Sequence, residues 1–382
     1  MKKIITLIIM IVMGLCLPYL YSVKISAEPN LANNSKSATM VNVETGDVIF
    51  EKNANEKLAP ASMTKIMSII LFMEALVSGQ LKADQLVTTS LNASQMGGSQ
   101  IFLSVGEQMK VSELLKSVVI ASANDACVAL AEEISGSIES FVKLMNDKAK
   151  MLGLENTNFA NATGLPIENH YTTSNDMAIM SAYLIKNYPE IIKLSSTYED
   201  YVRKDTDNPF WLVNTNRLVK HYPSIDGLKT GWTNDAGYCL SATSYNDDNK
   251  MRLVAVVMGC ETPQKRSADV VELLNYGHSN YHNQLVLNKG SVISTTNNIK
   301  LLPEDVRLLV SNDFYVCKKK QDKEKNYIFK LELNNEDNNK VGMVIIYDGD
   351  VEIGRVDVNY ELEPREVNYW LLLFRIMKRL FN

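Results

Sequence analysis

The stretch LAPASMTKIMSIILFMEAL, residues 58–76, restricts the fold of this chain more than any other. From Ile66 through Met67, Ile69, Ile70, Leu71, Phe72 and Met73 to Leu76 it is apolar on nearly every side of a helix. A helix of that kind belongs in the centre of a fold, covered by other elements, and not on its surface. Pro60 and Gly79 mark its ends. At its head stand Ser62 and Lys65, three positions apart and therefore on one helix face. Burial disfavours the ammonium form, and complete burial lowers a lysine pKa by roughly 3–5 units. A neutral lysine beside a serine hydroxyl is a general base beside a nucleophile.

Ser-x-x-Lys by itself is a cheap pattern, and the chain holds a second copy at Ser140 and Lys143. That copy lies in SGSIESFVKLMNDKAKMLG, where charges recur at helical spacing, so Lys143 is expected to reach water from an amphipathic surface helix. The rest of the chain has to separate the two copies.

With 382 residues and 46% hydrophobic content there is room for a sizeable core and two domains. A net charge of −5 and a pI near 5.6 argue against nucleic-acid binding, and no basic block interrupts the body of the chain. The basic clusters lie at the two ends. At the first, MKK precedes the apolar run Ile4 to Leu17, then Pro18, a polar stretch and the small-residue exit KISA. This is the layout of a secretory signal peptide, residues 1–27, ending at Ala27. A retained signal anchor is the alternative, for which the apolar run is short. Leu15 is too bulky for a lipidation site at Cys16. Cys127, Cys239, Cys260 and Cys317 show no metal-site spacing and read as buried free thiols, with no disulfide framework evident and a pairing between two of them left open.

Two β-rich segments flank Thr45-Gly46-Asp47, a hairpin signal. Helical patterns dominate from 62 to about 195, strand-like runs return at GYCLSATSY and MRLVAVVMGC, and a helix follows from about 264 to 276. That order implies an α+β catalytic domain, residues 28–282, in which the first and last strands share one sheet. Residues 283–365 read as a small all-β domain of short β-branched runs, with a hairpin signal at Asp348-Gly349. In the last segment, 366–382, Arg375, Lys378 and Arg379 lie largely opposite Trp370, Leu371, Leu373, Phe374, Met377 and Phe381. Such a helix suits an anionic membrane surface and is a poor span; docking on its own domain is the alternative.

Two further motifs decide between the serines. ASANDACVAL offers Ser122-Ala123-Asn124, and IDGLKTGWTNDAGYCLSAT offers Lys229-Thr230-Gly231. Ser-x-Asn is weak, since Ser90 to Asn92 and Ser244 to Asn246 also match, but Lys-Thr-Gly occurs once. The ordered set of three is far more specific than any member, and it is the signature of penicillin-binding proteins and class A β-lactamases. Within that superfamily the chain most resembles the low-molecular-mass penicillin-binding proteins of the D-alanyl-D-alanine carboxypeptidase type. The likeness runs through the leader, PASMTKIMS, GGSQIFL, SANDA, GLKTGWTNDAGYCL, the β domain and the terminal helix.

The resemblance implies a β-lactamase/transpeptidase-like fold, an antiparallel sheet with helices, and a serine peptidase acting on peptidoglycan stem peptides that end in D-Ala-D-Ala. Ser62 would attack the penultimate D-Ala carbonyl, and Lys65, directly or through Ser122, would take its proton. Lys229 would bring a second positive charge toward Lys65 and help hold it neutral. Asn124 would bind the substrate amide and orient Lys65. The Ser62 and Trp232 N–H groups would form the oxyanion hole, beside Gly231, and Thr230 and Arg266 would bind the terminal carboxylate. β-Lactam antibiotics would be inhibitors. The protein would be exported to the outer face of the cytoplasmic membrane and held there peripherally by its terminal helix.

Neither a cofactor nor a metal is expected, because the HSNYH pair His278 and His282 lacks the glutamate of a zinc helix. His170 is expected to support the helix start in NHYTTSNDMA, and Arg217 either lines the cleft or is solvated. A class A-like β-lactamase would need a Glu-x-x-Leu-Asn run between Asn124 and Lys229, and there is none. A DD-transpeptidase differs only in its acceptor, and an inactive peptidoglycan-binding module would have lost a motif residue.

Overall fold

The apolar run MRLVAVVMGC becomes strand β5 (Met251–Cys260), buried along its length except at Arg252 and Gly259. It sits at the centre of a five-stranded antiparallel sheet with β1 (Ser37–Asn42), β2 (Val48–Lys52), β3 (Ile225–Thr233) and β4 (Gly237–Asn246), in the order β2-β1-β5-β4-β3. The computed structural model describes residues 29–296, 306–323, 325–333, 342–362 and Met377. The expected leader, 1–27, and the expected amphipathic helix, 366–382 apart from Met377, lie outside the described residues. Among the described residues no helix is long and apolar enough to cross a membrane.

β1 and β2 form the expected hairpin, and Met40 of β1 pairs with Ala255 of β5, so strands from the two ends of the domain share one sheet. Alternation along β5 divides its side chains between two layers. Val254, Val256 and Met258 join the main helical core, whereas Leu253 meets α6 (Pro263–Asn280). A Cβ at Gly277 of that helix would lie 2.4 Å from Leu253 Cδ1. Cover on both faces is why the strand reads as continuous apolar sequence.

The apolar stretch at 66–76 is α1 (Lys65–Val77), with every residue from Lys65 to Met73 buried. It packs against α2 (Val111–Ile120), α3 (Asn124–Ser135), α4 (Ile138–Met151) and α5 (Ser174–Asn187). The Phe72 and Phe141 rings meet at 5.5 Å between α1 and α4. Each fully buried large side chain contributes about 1.5–3 kcal/mol relative to exposure. The helix does not begin at Pro60 as one α-helix. Ala61 has φ of +47°, which a regular right-handed turn does not accept, and a 3₁₀ turn (Ala61–Thr64) leads into α1. Ser140 and Lys143 are exposed on α4, as their spacing suggested.

The α6 helix ends at Asn280 and runs directly into β6 (Tyr281–Leu287). Beyond it a second five-stranded antiparallel sheet forms from β7 (Val292–Thr296), β8 (Val306–Val310), β10 (Ile328–Leu333), β11 (Gly342–Asp348) and β12 (Val351–Leu362), in the order β7-β8-β12-β11-β10, while β6 pairs with β9 (Phe314–Lys319). This C-terminal β domain has its own core of Leu308, Val310, Val344, Ile346, Val356 and Val358. Its β11–β12 hairpin closes at Asp348 and Val351 with Gly349 at φ +61°, a left-handed conformation that glycine adopts without strain.

Candidate active site

In a 3₁₀ turn, side chains three residues apart eclipse. Ser62, within the turn, and Lys65, which follows it, are therefore brought together: Lys65 Nζ donates to Ser62 Oγ at 3.0 Å. The same ammonium donates to the Thr163 carbonyl at 2.8 Å. Lys65 is fully buried, and burial lowers its pKa to about 8. Ser62 is half-buried, so the hydroxyl faces the accessible side of the pair.

Ser122 and Asn124 come from the junction of α2 and α3. Ser122 is held at φ +62°, a left-handed conformation that costs a non-glycine residue of order 1–3 kcal/mol. Its Oγ accepts a 2.8 Å hydrogen bond from Lys229 Nζ, which also donates to the Thr230 carbonyl at 3.1 Å. Lys229 is buried too, and its pKa falls well below the ordinary value, through burial first and the Lys65 charge second. The sequence placed the like-charge effect on Lys65; burial is the main cause for both lysines, and the repulsion bears on Lys229.

Asn124 differs from expectation. Its Nδ2 donates to the Gly97 carbonyl at 2.6 Å, not to a partner of Lys65, and its Oδ1 is buried without a partner among the described residues. Through that bond Asn124 ties the start of α3 to the 97–104 loop. Its backbone N–H donates to Ser99 O at 2.7 Å.

β3 is an edge strand, so its free side can approach the Ser62 turn. Gly231 makes that approach possible: a Cβ there would lie 2.7 Å from the Pro60 carbonyl and 3.2 Å from Met63 N. Thr230 Oγ1 donates to Thr215 Oγ1 at 2.7 Å, while Trp232 is 54% exposed, its ring centroid 5.8 Å from that of Tyr238. Arg266, near the start of α6, is buried, its Nε has no partner among the described residues, and it lies close enough to Lys229 for their charges to oppose. Hydrogen bonds thus join Ser62 to Lys65 and Ser122 to Lys229, Gly231 lies against the turn that carries Ser62, and Arg266 bears on the Lys229 charge.

Several supporting residues had no legible signal. The Asp125 carboxylate, fully buried, accepts from Ile101 N and Leu103 N and so anchors the loop that Asn124 holds. Asn216 Nδ2 donates to the Gly227 carbonyl and braces β3. Arg217 is exposed and donates to the Tyr198 hydroxyl. His170 does not support the α5 start, which Thr173 caps through Asp176 N. Its Nδ1 accepts from Ala160 N, so its Nε2 donates to Thr64 Oγ1 at 2.7 Å, beside the Ser62 turn. Burial pushes its pKa down to about 4, and the ring is neutral. Among the described residues no group of three or more His, Cys, Asp or Glu side chains could hold a metal ion, and the four cysteines there are free.

The peptidase family S11, D-alanyl-D-alanine carboxypeptidase, matches residues 23–262. The chain belongs to that family. It is a serine-type carboxypeptidase of the low-molecular-mass penicillin-binding group, with 50% identity over 290 residues to the D-alanyl-D-alanine carboxypeptidase DacF of Bacillus subtilis, covering 76% of this chain and 74% of the relative. The carboxypeptidase DacC of Escherichia coli is 38% identical over 64% of this chain and 61% of its own length. Among solved structures, penicillin binding protein 5 from Haemophilus influenzae aligns with a TM-score of 0.72 at 29% identity, over 87% of this chain and 98% of that one. Penicillin-Binding Protein D2 from Listeria monocytogenes, in an ampicillin bound form, aligns at 0.58 and 30% identity, over 65% of this chain and all of that one. The carboxypeptidase is thus a cell-wall hydrolase with the catalytic sheet and the C-terminal β domain of its structural neighbours.

Proposed function

We propose that Ser62 is the nucleophile with which this carboxypeptidase removes the terminal D-alanine from peptidoglycan stem pentapeptides. The observation that carries the reading is the pair of buried lysines, each donating to a motif serine. Ser62 Oγ attacks the penultimate D-Ala carbonyl while neutral Lys65 takes its proton, and the developing oxyanion meets the Ser62 and Trp232 N–H groups. The peptide C–N bond breaks, the departing D-Ala amine takes a proton relayed through Lys65 or through Ser122 and Lys229, and water hydrolyses the ester. Thr230 and Arg266 receive the terminal carboxylate; the unpaired, buried guanidinium nitrogen of Arg266 supports that role. A β-lactam amide presents the same carbonyl, so these antibiotics acylate Ser62 and stay as stable esters.

Intact-mass spectrometry during incubation with benzylpenicillin tests this. The expected result is a long-lived adduct mapping to Ser62, with D-Ala release from a pentapeptide blocked in parallel. No adduct, or one elsewhere, refutes it; rapid turnover of penicillin would indicate a β-lactamase instead. We further propose export through cleavage after Ala27 and peripheral attachment to an anionic membrane surface through residues 366–382. Truncation after Arg365 should release the protein from membranes, and continued sedimentation with them refutes the anchor.

A further inference from the structure

A small cavity adjoins the Ser62 turn at Ala61. It has a volume of about 50 Å³ and is lined by Ala61, Pro166, Ile167, His170, Thr233 and Asp235, among others. In the proposed reaction the terminal carboxylate lies at Thr230 and the scissile carbonyl at Trp232, two positions further along β3. A strand advances about 3.3 Å per residue, so the remainder of the substrate leaves the reaction centre past Trp232, toward Thr233 and the turn that carries Asp235. Peptidoglycan stems place a diamino acid directly before the two D-alanines. Its side chain is a short apolar stem ending in a primary amine.

The cavity matches that shape. Ile167 is 56% exposed and, with Pro166, offers an apolar bank for methylene groups. Asp235, which also lines the cavity, is exposed, and no described residue bonds to its carboxylate. Thr233 Oγ1 accepts from Ala236 N, which leaves its hydroxyl proton free to donate. No lysine or arginine lines the cavity, and the one histidine that does has both ring nitrogens engaged, Nδ1 by Ala160 N and Nε2 by Thr64. A sugar ring does not fit so small a volume; an alkylammonium tip does.

We propose that Asp235 is a specificity-determining residue that receives the free side-chain amine of the stem's third residue, with Ile167 and Pro166 carrying its methylenes. The inference rests on the carboxypeptidase reading given above. It favours an amine without a neighbouring carboxylate, as in lysine or an amidated diaminopimelate, because a second carboxylate would face Asp235 directly.

The test compares Nα-acetyl-L-Lys-D-Ala-D-Ala with its Nα,Nε-diacetyl counterpart by D-Ala release, at low ionic strength. An exposed ion pair is expected to favour the free amine by roughly three- to fivefold in kcat/KM, expressed in KM, and to fade with added salt. Asp235→Asn should bring the ratio of the two substrates close to one, whereas Asp235→Glu should keep most of it. The rate of Ser62 acylation by benzylpenicillin reports whether the reaction centre of each variant is intact. Equal kcat/KM for the two substrates in the unmodified enzyme, or a ratio that Asp235→Asn leaves unchanged, overturns the subsite and leaves the carboxypeptidase reading standing. Absence of D-Ala release from both, together with no adduct on Ser62, overturns both.

Discussion

Gly164 is the position at which a single methyl group should separate catalysis from folding. Its φ is +86°, and a Cβ built there would lie 1.8 Å from the Ala61 carbonyl oxygen, 2.3 Å from the Ala61 carbonyl carbon and 2.8 Å from Thr64 Oγ1. Ordinary contact begins at 3.4 Å, so the overlap with backbone exceeds an ångström and cannot be relieved by a rotamer. Either the loop carrying Thr163 moves outward or the turn carrying Ser62 does. The first lengthens the 2.8 Å bond from Lys65 to Thr163 O, and the second the 3.0 Å bond from Lys65 to Ser62 Oγ. A misplacement of about 1 Å in a catalytic group costs on the order of 10²-fold in rate. Gly164→Ala should therefore lower the second-order rate of Ser62 acylation by benzylpenicillin about 10²-fold. Left-handed strain alone adds about 1–2 kcal/mol of destabilisation. Gly136→Ala supplies the control, because Gly136 has φ of +77° and open space around the added methyl. It should lose only the left-handed strain in a denaturant melt and acylate normally. Acylation of a folded Gly164→Ala protein within threefold of the unmodified rate would refute the reasoning.

Other expectations follow from the same contacts. Lys65→Ala should reduce acylation by about 10²–10⁴-fold, the usual worth of a general base, while Lys143→Ala, on the exposed face of α4, leaves it unchanged; matching losses in the two variants would count against Lys65 as the base. Because burial brings Lys65 down to about 8 and the neutral amine is the active form, acylation should rise as pH increases through about 8 and level off above it; a rate–pH profile that is flat from 7 to 9 would contradict this. Asp125→Ala strands the N–H groups of Ile101 and Leu103 in the interior, at about 1–3 kcal/mol for each unsatisfied donor, and should lower the denaturation midpoint and slow acylation together by loosening the Gly97 partner of Asn124. An unshifted midpoint would show that the loop is held by other contacts.

What the sequence could announce, and what it could not, divides along a physical line. α1 was legible because a helix apolar on all sides has only one stable place, and β5 because a strand covered on both faces must be apolar at every position. Ser62, Lys65, Ser122, Asn124 and Lys229 were legible as an ordered set of motifs, and the chemistry of a lysine beside a serine required their burial. The residues that hold that set in place were not. Thr163 acts through a carbonyl, which every residue possesses; Gly164 and Gly231 act through the absence of a side chain; Asp125 and Asn216 bond to main-chain groups of distant segments. None of these interactions has a period or a spacing. His170 shows the same limit from the other side: its neighbourhood in sequence pointed to the start of α5, but Thr173 already caps that helix, and the fold uses the ring to fix Thr64 instead. The orientation of Asn124 is likewise set by the fold, since its amide meets the carbonyl of Gly97, a main-chain group 27 residues away that no motif spacing marks. Motif residues can therefore be named from sequence where their chemistry is distinctive, while the preorganisation that makes them a site is carried by backbone groups and empty volumes, and has to be read from the fold.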